Sequence, residues 1–278
     1  MAPMQFTTKS GQTVTLERGT GLASLIVMGM AGVPLNTFID IGCADGQTAL
    51  QALLYINPNA SIINVDAQTT YVDSLEAVKS ALGGHYKTCA AYSANCTLKF
   101  NVSPESSYWA NIDLDGSNRA GVNLPSQGVQ SLEIAGRTID SLCDEFGTAP
   151  PYMIKMDIEG GEFNALQGAE KTLEKTSALL LETNFYYGKH SGGKFGDIVH
   201  FLTSRGFSLF DVTDIAYGHR GAILTQVYTA FIRNEYDFRG NLQDELDSAR
   251  LAPLLGHRRT TIRQSNVEFI DAIKSLRG

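Results

Sequence analysis

Residues 37–46 read Thr-Phe-Ile-Asp-Ile-Gly-Cys-Ala-Asp-Gly, and no other stretch limits the fold as tightly. A short apolar strand runs into Asp40, Gly42 and Gly46 follow, and a helical pattern with Leu50, Leu53 and Leu54 on one face comes next. A strand, a glycine turn and a helix in that order form the corner of an α/β sheet. Its glycines let a ligand approach the backbone, and such a corner is expected to expose N–H groups to it. The glycine spacing is not Gly-x-Gly-x-x-Gly, so the signature of nicotinamide-dinucleotide binding is absent.

The same alternation continues down the chain. Strands are expected at 61–66, 86–91, 152–157 and 178–183, with helices near 71–82, 138–146 and 195–202 between them, and two closing strands at 207–212 and 226–232. Short apolar runs interleaved with helical periods imply a mainly parallel sheet, here with one reversed strand near the C-terminal edge. The stretch from 92 to 135 departs from this. Leu98, Phe100 and Val102 alternate with polar residues, as in an exposed antiparallel strand, and 103–128 is rich in Ser, Asn, Gly and Pro and is expected to be an excursion loop with a binding role. Residues 21–35 are apolar but too short to span a bilayer and are read as a buried helix leading into the first strand. The expected organisation is a lead-in over 1–36, one catalytic domain over 37–237, and a helical extension over 238–278 that carries Phe269, Ile270, Ile273 and Leu276 on one helix.

A net charge of −7 argues against a nucleic-acid partner, because phosphate backbones need clustered cations. Cys43, Cys89, Cys96 and Cys143 have neither Cys-x-x-Cys nor zinc spacing and read as reduced thiols. With no secretory pattern at the N-terminus, a cytoplasmic protein without integral membrane association is expected. Arg258, Arg259 and Arg263 in the tail read as a solvated face, with packing of the tail against a second copy, as a homodimer, the alternative.

Acids mark the chemistry. Asp66 closes the second strand, where a carboxylate can accept both ribose hydroxyls of an adenosine ligand. Asp157 ends the strand that should lie beside the first, at the carboxyl edge where open α/β sheets bind ligands. Glu162 falls in the first turn of the next helix, where the dipole favours an anion. Lys155, mid-strand and one residue off the Asp157 face, is expected to make an internal salt bridge.

Longer motifs then accumulate. Asp40-Ile41-Gly42-x-x-x-Gly46 resembles motif I of class I S-adenosylmethionine-dependent methyltransferases. Lys155-Met156-Asp157-Ile158-Glu159-Gly160-x-Glu162, then Leu166-x-Gly168-Ala169, then Leu180-Leu181-Glu182, resembles the signature of the FkbM-type methyltransferase family. Ala90-Ala91-Tyr92-Ser93 and Thr138-Ile139-Asp140-Ser141-Leu142 fall in the right order for that family, and the resemblance runs over about residues 35–233. The chain departs from it at Ala44-Asp45, where the family commonly has Asn, and at Asp66-Ala67, where it usually has Glu-Pro.

The resemblance implies a doubly wound, mostly parallel seven-stranded α/β sheet of the class I methyltransferase, Rossmann-like kind. It implies methyl transfer from S-adenosylmethionine to oxygen, often a hydroxyl of a small molecule or a glycan. Asp40, Gly42, Cys43, Gly46, Asp66, Ala91 and Asp157 would bind the cofactor, and Asp157 would stand at the reacting centre. By analogy with catechol-type O-methyltransferases of the same broad fold, Asp157, Glu182 and Asn184 are candidate ligands for Mg²⁺. Without a metal a base is required, and His190, in a Gly/Lys-rich loop after the Glu182 strand, is the candidate. Phe185-Tyr186-Tyr187 and Tyr108-Trp109 are candidates to line an acceptor pocket. Two rival readings are a nicotinamide-dependent oxidoreductase and a non-catalytic, methyltransferase-like binding protein.

Overall fold

The computed structural model describes residues 4–7, 13–16, 19–103, 106–112, 130–185, 194–218, 220–241 and 266–277. In chain order the elements are β1 (Met4–Thr7), β2 (Thr13–Leu16), α1 (Gly21–Met30), β3 (Thr37–Ile41), α2 (Gln47–Tyr55), β4 (Ser61–Asp66), α3 (Val72–Leu82), β5 (His85–Thr88) and β6 (Ala90–Ala91). They continue with β7 (Cys96–Ser103), β8 (Ser106–Ile112), β9 (Gln130–Arg137), α4 (Ile139–Phe146), β10 (Tyr152–Met156), α5 (Glu162–Gln167), α6 (Glu170–Leu173) and β11 (Thr176–Asn184). Then come α7 (Phe195–Thr203), β12 (Phe207–Gly218), β13 (Ile223–Arg233) and α8 (Asn266–Arg277).

The main sheet has seven strands in the order β12-β13-β11-β10-β3-β4-β5. β3, β4, β5, β10 and β11 pair in parallel, and β13 runs antiparallel to both of its neighbours, so the reversed strand lies where expected. Every residue of β3, β10 and β11 is buried. Strands covered on both faces must be mainly apolar at odd and even positions alike, and where Asp40 and Lys155 interrupt β3 and β10 they pair with each other. The alternation divides them between two cores. Phe38, Ile62, Met153 and Leu180 pack with α1, α2 and α8 on one face. Ile39, Ile63, Ile154 and Leu181 pack with residues of α4, α5, α6 and α7 on the other. The sheet is therefore covered on both sides, and strand order reverses at β3, which opens a crevice at the carboxyl edge between β3 and β10.

The segment expected to be an excursion loop contains β8, and with β6, β7 and β9 it forms a second sheet in the order β6-β9-β7-β8. Residues 113–129 lie outside the described residues. Phe100 on β7, expected on an exposed strand, is only 6% exposed. The segment 21–35 does begin with the buried helix α1, tied to β12 through Gly21 N–H to Asp214 (2.6 Å) and Ser24 Oγ–H to Asp211 (2.8 Å).

α8 packs across α2 and α3 and buries Phe269, Ile270 and Ile273, each worth about 2 kcal/mol. Its Arg277 donates to the carbonyls of Pro58, Leu82 and Ala60, and its Asn266 donates to the carbonyl of Asp45 (2.9 Å). Among the described residues no helix is long and apolar enough to cross a membrane.

Candidate functional site

A cleft of about 190 Å³ lies over the carboxyl edge of the sheet, floored by the ends of β3, β4 and β10. Of the sequence candidates, Gly42, Asp66, Ala91 and Asp157 line it. Gln68, Tyr71, Phe100, Ile112 and Glu159 line it too, and these were not among the candidates.

The glycine corner differs from expectation in one respect. Four of its N–H groups are already bound within the protein. Gly42 and Cys43 both donate to the carbonyl of Val65 (2.8 and 3.2 Å), Ala44 donates to Asp66 Oδ2 (2.9 Å), and Gly46 donates to the carbonyl of Cys43 (2.8 Å). The neighbouring strand end consumes the donors that the sequence leaves formally free. What the corner does offer is close approach. Gly42 has φ +72°, and a Cβ there would overlap the backbone carbonyl of Asp157. Gly46, at φ +83°, precedes α2 and allows the chain to turn into it. Ala44 faces the cleft, while Cys43 is 4% exposed and belongs to the core. Burial pushes the Cys43 thiol well up, as do Asp40 and Asp66 nearby, so it stays a protonated, inert thiol. Asp45, the departure from the family pattern, accepts from the Gln47 backbone (3.3 Å) and side chain (3.1 Å) at the head of α2.

Asp66 accepts one backbone N–H on each oxygen, from Ala44 and from Gln68 (2.8 Å). Burial pushes its carboxyl up, and those two donors oppose the shift. Asp40 lies beneath the cleft with no exposure at all. Its charge partner is Lys155, aligned with it across β3 and β10, with Nζ 3.3 Å from Oδ1. Burial raises the Asp40 carboxyl, and Lys155 resists. Burial also pulls Lys155 down, but Asp40 and Asp157 outweigh it and hold the ammonium at about 12. Lys155 Nζ donates to the carbonyl of Gly42 (2.7 Å) and stands 3.7 Å from Asp157 Oδ2. The internal salt bridge is therefore there, but the face assignment was wrong. Residues two apart in a strand point the same way, and Lys155 reaches both Asp40 and Asp157.

At the other end of the cleft acids crowd together. Carboxylate oxygens of Asp157, Glu159 and Glu182 lie within 4.8 Å of one another. Tyr228 O–H donates to Asp157 Oδ2 and Gln226 Nε2 donates to Glu182 Oε1. Both donors come from β13, where Tyr228 pairs with Glu182 and Gln226 with Asn184. Glu182 is 4% exposed and its Oε2 has no hydrogen-bond partner, and both amide atoms of Asn184 are likewise buried without one. Glu182 is pushed up to about 9, by burial first and then by Asp157, Glu162 and Glu159. Glu159, in the left-handed region at φ +54°, is pushed up to about 7 by burial and by Asp157. Glu162 heads α5 as expected, and its Oε1 accepts from the N–H groups of Ile158 (2.9 Å) and Gly160 (3.3 Å), which fixes the turn presenting Glu159. The magnesium set proposed from sequence thus has Asp157 and Glu182 together, with Glu159 as the third clustered acid and Asn184 two residues along the same β11 face. Hard oxygen donors with unpaired buried atoms suit that ion.

His190, Tyr186 and Tyr187 lie outside the described residues, as do the side chains of Tyr108 and Trp109. Phe185 stacks on Phe195 at a centroid distance of 4.6 Å.

The family model "Methyltransferase FkbM domain" matches residues 40–209. Solved structures with similar architecture include a putative rRNA methylase from Clostridium thermocellum (10% identity, 79% of this chain and 100% of that one, TM-score 0.43). Others are an O-methyltransferase from Bacillus cereus in complex with SAH (10% identity, 77% and 80%, TM-score 0.41) and precorrin-6y C5,15-methyltransferase from Geobacter metallireducens GS-15 (9% identity, 76% and 86%, TM-score 0.39). No curated protein matches the chain.

Proposed function

The chain belongs to the FkbM methyltransferase family, and on that premise we propose that it transfers a methyl group from S-adenosylmethionine to a hydroxyl of a small molecule or glycan. Residues 37–237 carry this activity. The observation that supports it is one continuous cleft running from Asp66, a carboxylate fit for a ribose, to Asp157, a carboxylate at a reacting centre. The net charge of −7 favours an acceptor that is not a polyanion.

When bound, S-adenosylmethionine supplies an electrophilic sulfonium methyl. Asp66 accepts from the ribose hydroxyls while Ala44 and Gln68 hold its two oxygens in place. Gly42 and Ala44 let the amino-acid end lie against bare backbone. Asp157, oriented by Tyr228, faces the acceptor hydroxyl and takes part in removing its proton. Asp157, Glu182 and Asn184 would hold Mg²⁺, with the unpaired Glu182 Oε2 and Asn184 amide oxygen as the buried donors, and the ion would lower the pKa of the acceptor hydroxyl. His190 is the base proposed for a metal-free route.

A thermal-shift screen tests the reading directly, since a ligand that binds the folded state raises its melting temperature. S-adenosylhomocysteine is expected to raise it and NAD to leave it unchanged, and the reverse result would point to an oxidoreductase. Saturable cofactor binding without methyl transfer to any pool of hydroxylated acceptors would favour a binding protein. Transfer that survives exhaustive EDTA treatment would remove Mg²⁺ from the scheme.

A further inference from the structure

We propose that Phe100 and Ile112 form the wall against which the adenine ring of the cofactor packs, so that the inserted sheet belongs to the cofactor site. This rests on the reading of the cleft as an S-adenosylmethionine site. Three observations carry it. Phe100 on β7 and Ile112 on β8 are direct partners across the antiparallel pair, so their side chains leave the same face of the inserted sheet. Both line the cleft, and Phe100 is buried there while Leu98 and Val102, on the same face of β7, are only half-buried. The sheet also grows from the edge of the main sheet nearest Asp66. Cys89 N–H donates to the carbonyl of Asp66 (3.0 Å), and Ala90–Ala91, the strand that follows, pairs with β9 to begin the insertion.

Strand order then fixes which end of the ligand meets this wall. β3 and β4 separate β5, on the inserted-sheet side, from β10, which carries Asp157. A ribose held by Asp66 has its reacting arm directed toward β10, and its base is therefore directed toward β5 and the insertion. A planar, polarisable ring packs well on an aromatic face backed by an aliphatic one, and a base lost from such a wall typically costs a binding factor of about ten or more.

The test measures dissociation constants of S-adenosylhomocysteine and of 5′-methylthioadenosine, which lacks the amino-acid arm, by calorimetry. The proteins are wild type, Phe100→Ala, Phe100→Leu and Ile112→Ala, each checked for folding by circular dichroism. Phe100→Leu keeps the volume, so it serves if the alanine variant is unstable. The wall predicts that Phe100→Ala weakens both ligands by about the same factor, tenfold or more, with Phe100→Leu and Ile112→Ala showing smaller equal losses. Unchanged affinities in folded variants would overturn the assignment while leaving the cofactor reading intact. A loss for S-adenosylhomocysteine alone would also overturn it, by placing the wall at the amino-acid arm. A wild-type protein that binds neither ligand would overturn the cofactor reading itself.

Discussion

The two ends of the cleft satisfy their acids in opposite ways. At the β3–β4 end each Asp66 oxygen already holds a backbone N–H, Asp40, whose oxygens accept no hydrogen bond, is charge-paired with Lys155, and the Gly42 and Cys43 amides are bound to Val65. At the β10–β11 end three carboxylates share a 4.8 Å neighbourhood with two neutral donors, Tyr228 and Gln226, and a single cation, Lys155, which is shared with Asp40, and Glu182 Oε2 is buried with no partner. The first arrangement is pre-organised and does not need a ligand to be stable, which suits a seat for a cofactor that binds in one pose. The second is electrostatically incomplete, since like charges at this spacing must take up a proton or a cation. Carboxylates in excess of their cation at one end, and matched by it at the other, mark where chemistry, rather than binding, is to be sought.

Three measurements can break this contrast. The largest effect is expected from Gly42→Ala. A methyl group would overlap the Asp157 carbonyl at a backbone angle that disfavours side chains, which should destabilise the protein by about 3 kcal/mol and lower its melting temperature by roughly 10 °C. A variant that melts normally and still binds S-adenosylhomocysteine would show that the seat is pliable. Asp66→Asn comes next. One oxygen remains to serve Ala44, Gln68 and the ribose, so S-adenosylhomocysteine should bind about 10–100-fold more weakly, as expected for losing a hydrogen bond to a charged group. An unchanged affinity in calorimetry would mean the ribose lies elsewhere.

The smallest effect is a slope. Glu159 and Glu162, raised to about 7, and Glu182, raised to about 9, bind protons more tightly folded than unfolded. Their contribution to stability is complete below the ordinary carboxylate range near 4.5 and is lost as pH rises through the folded values. The melting temperature in chelator should therefore decline between about pH 5 and pH 9. In Glu182→Gln the upper part of that decline should flatten, because an amide fills the same space without a charge to desolvate. A melting temperature that rises across this window would mean the β10–β11 end is as well compensated as the other.

What could be read from the sequence follows the physics of each region. β4 was located residue for residue at 61–66, and β3 at the head of the decapeptide, because parallel strands buried on both faces leave largely apolar runs cut by glycine, proline and asparagine. Asp66 and Asp157 were found because strand ends at the switch point are where such sheets bind ligands. β8 was missed because it stands in a stretch rich in Ser, Asn, Gly and Pro and its strand pairing is with β7. Phe100 was read only as one of the apolar positions of an exposed antiparallel strand, because alternation names two faces without saying which one meets a ligand. The corner's occupied amides depend on the Val65 carbonyl, a pairing that no local pattern records. Tyr228 is 71 residues from Asp157 and meets it only through the antiparallel register of β13.

α8 has a consequence for how the protein comes into being. The Asn266 contact to the Asp45 carbonyl closes over 221 residues of sequence, and the Arg277 clasp on Pro58, Leu82 and Ala60 over 195 to 219. At roughly 5–20 residues per second, a nascent chain spends on the order of tens of seconds with the outer faces of α2 and α3 bare. The glycine corner therefore reaches its final form only after residues 266–277 have been made, so its completion waits on closure across the sequence rather than on local folding.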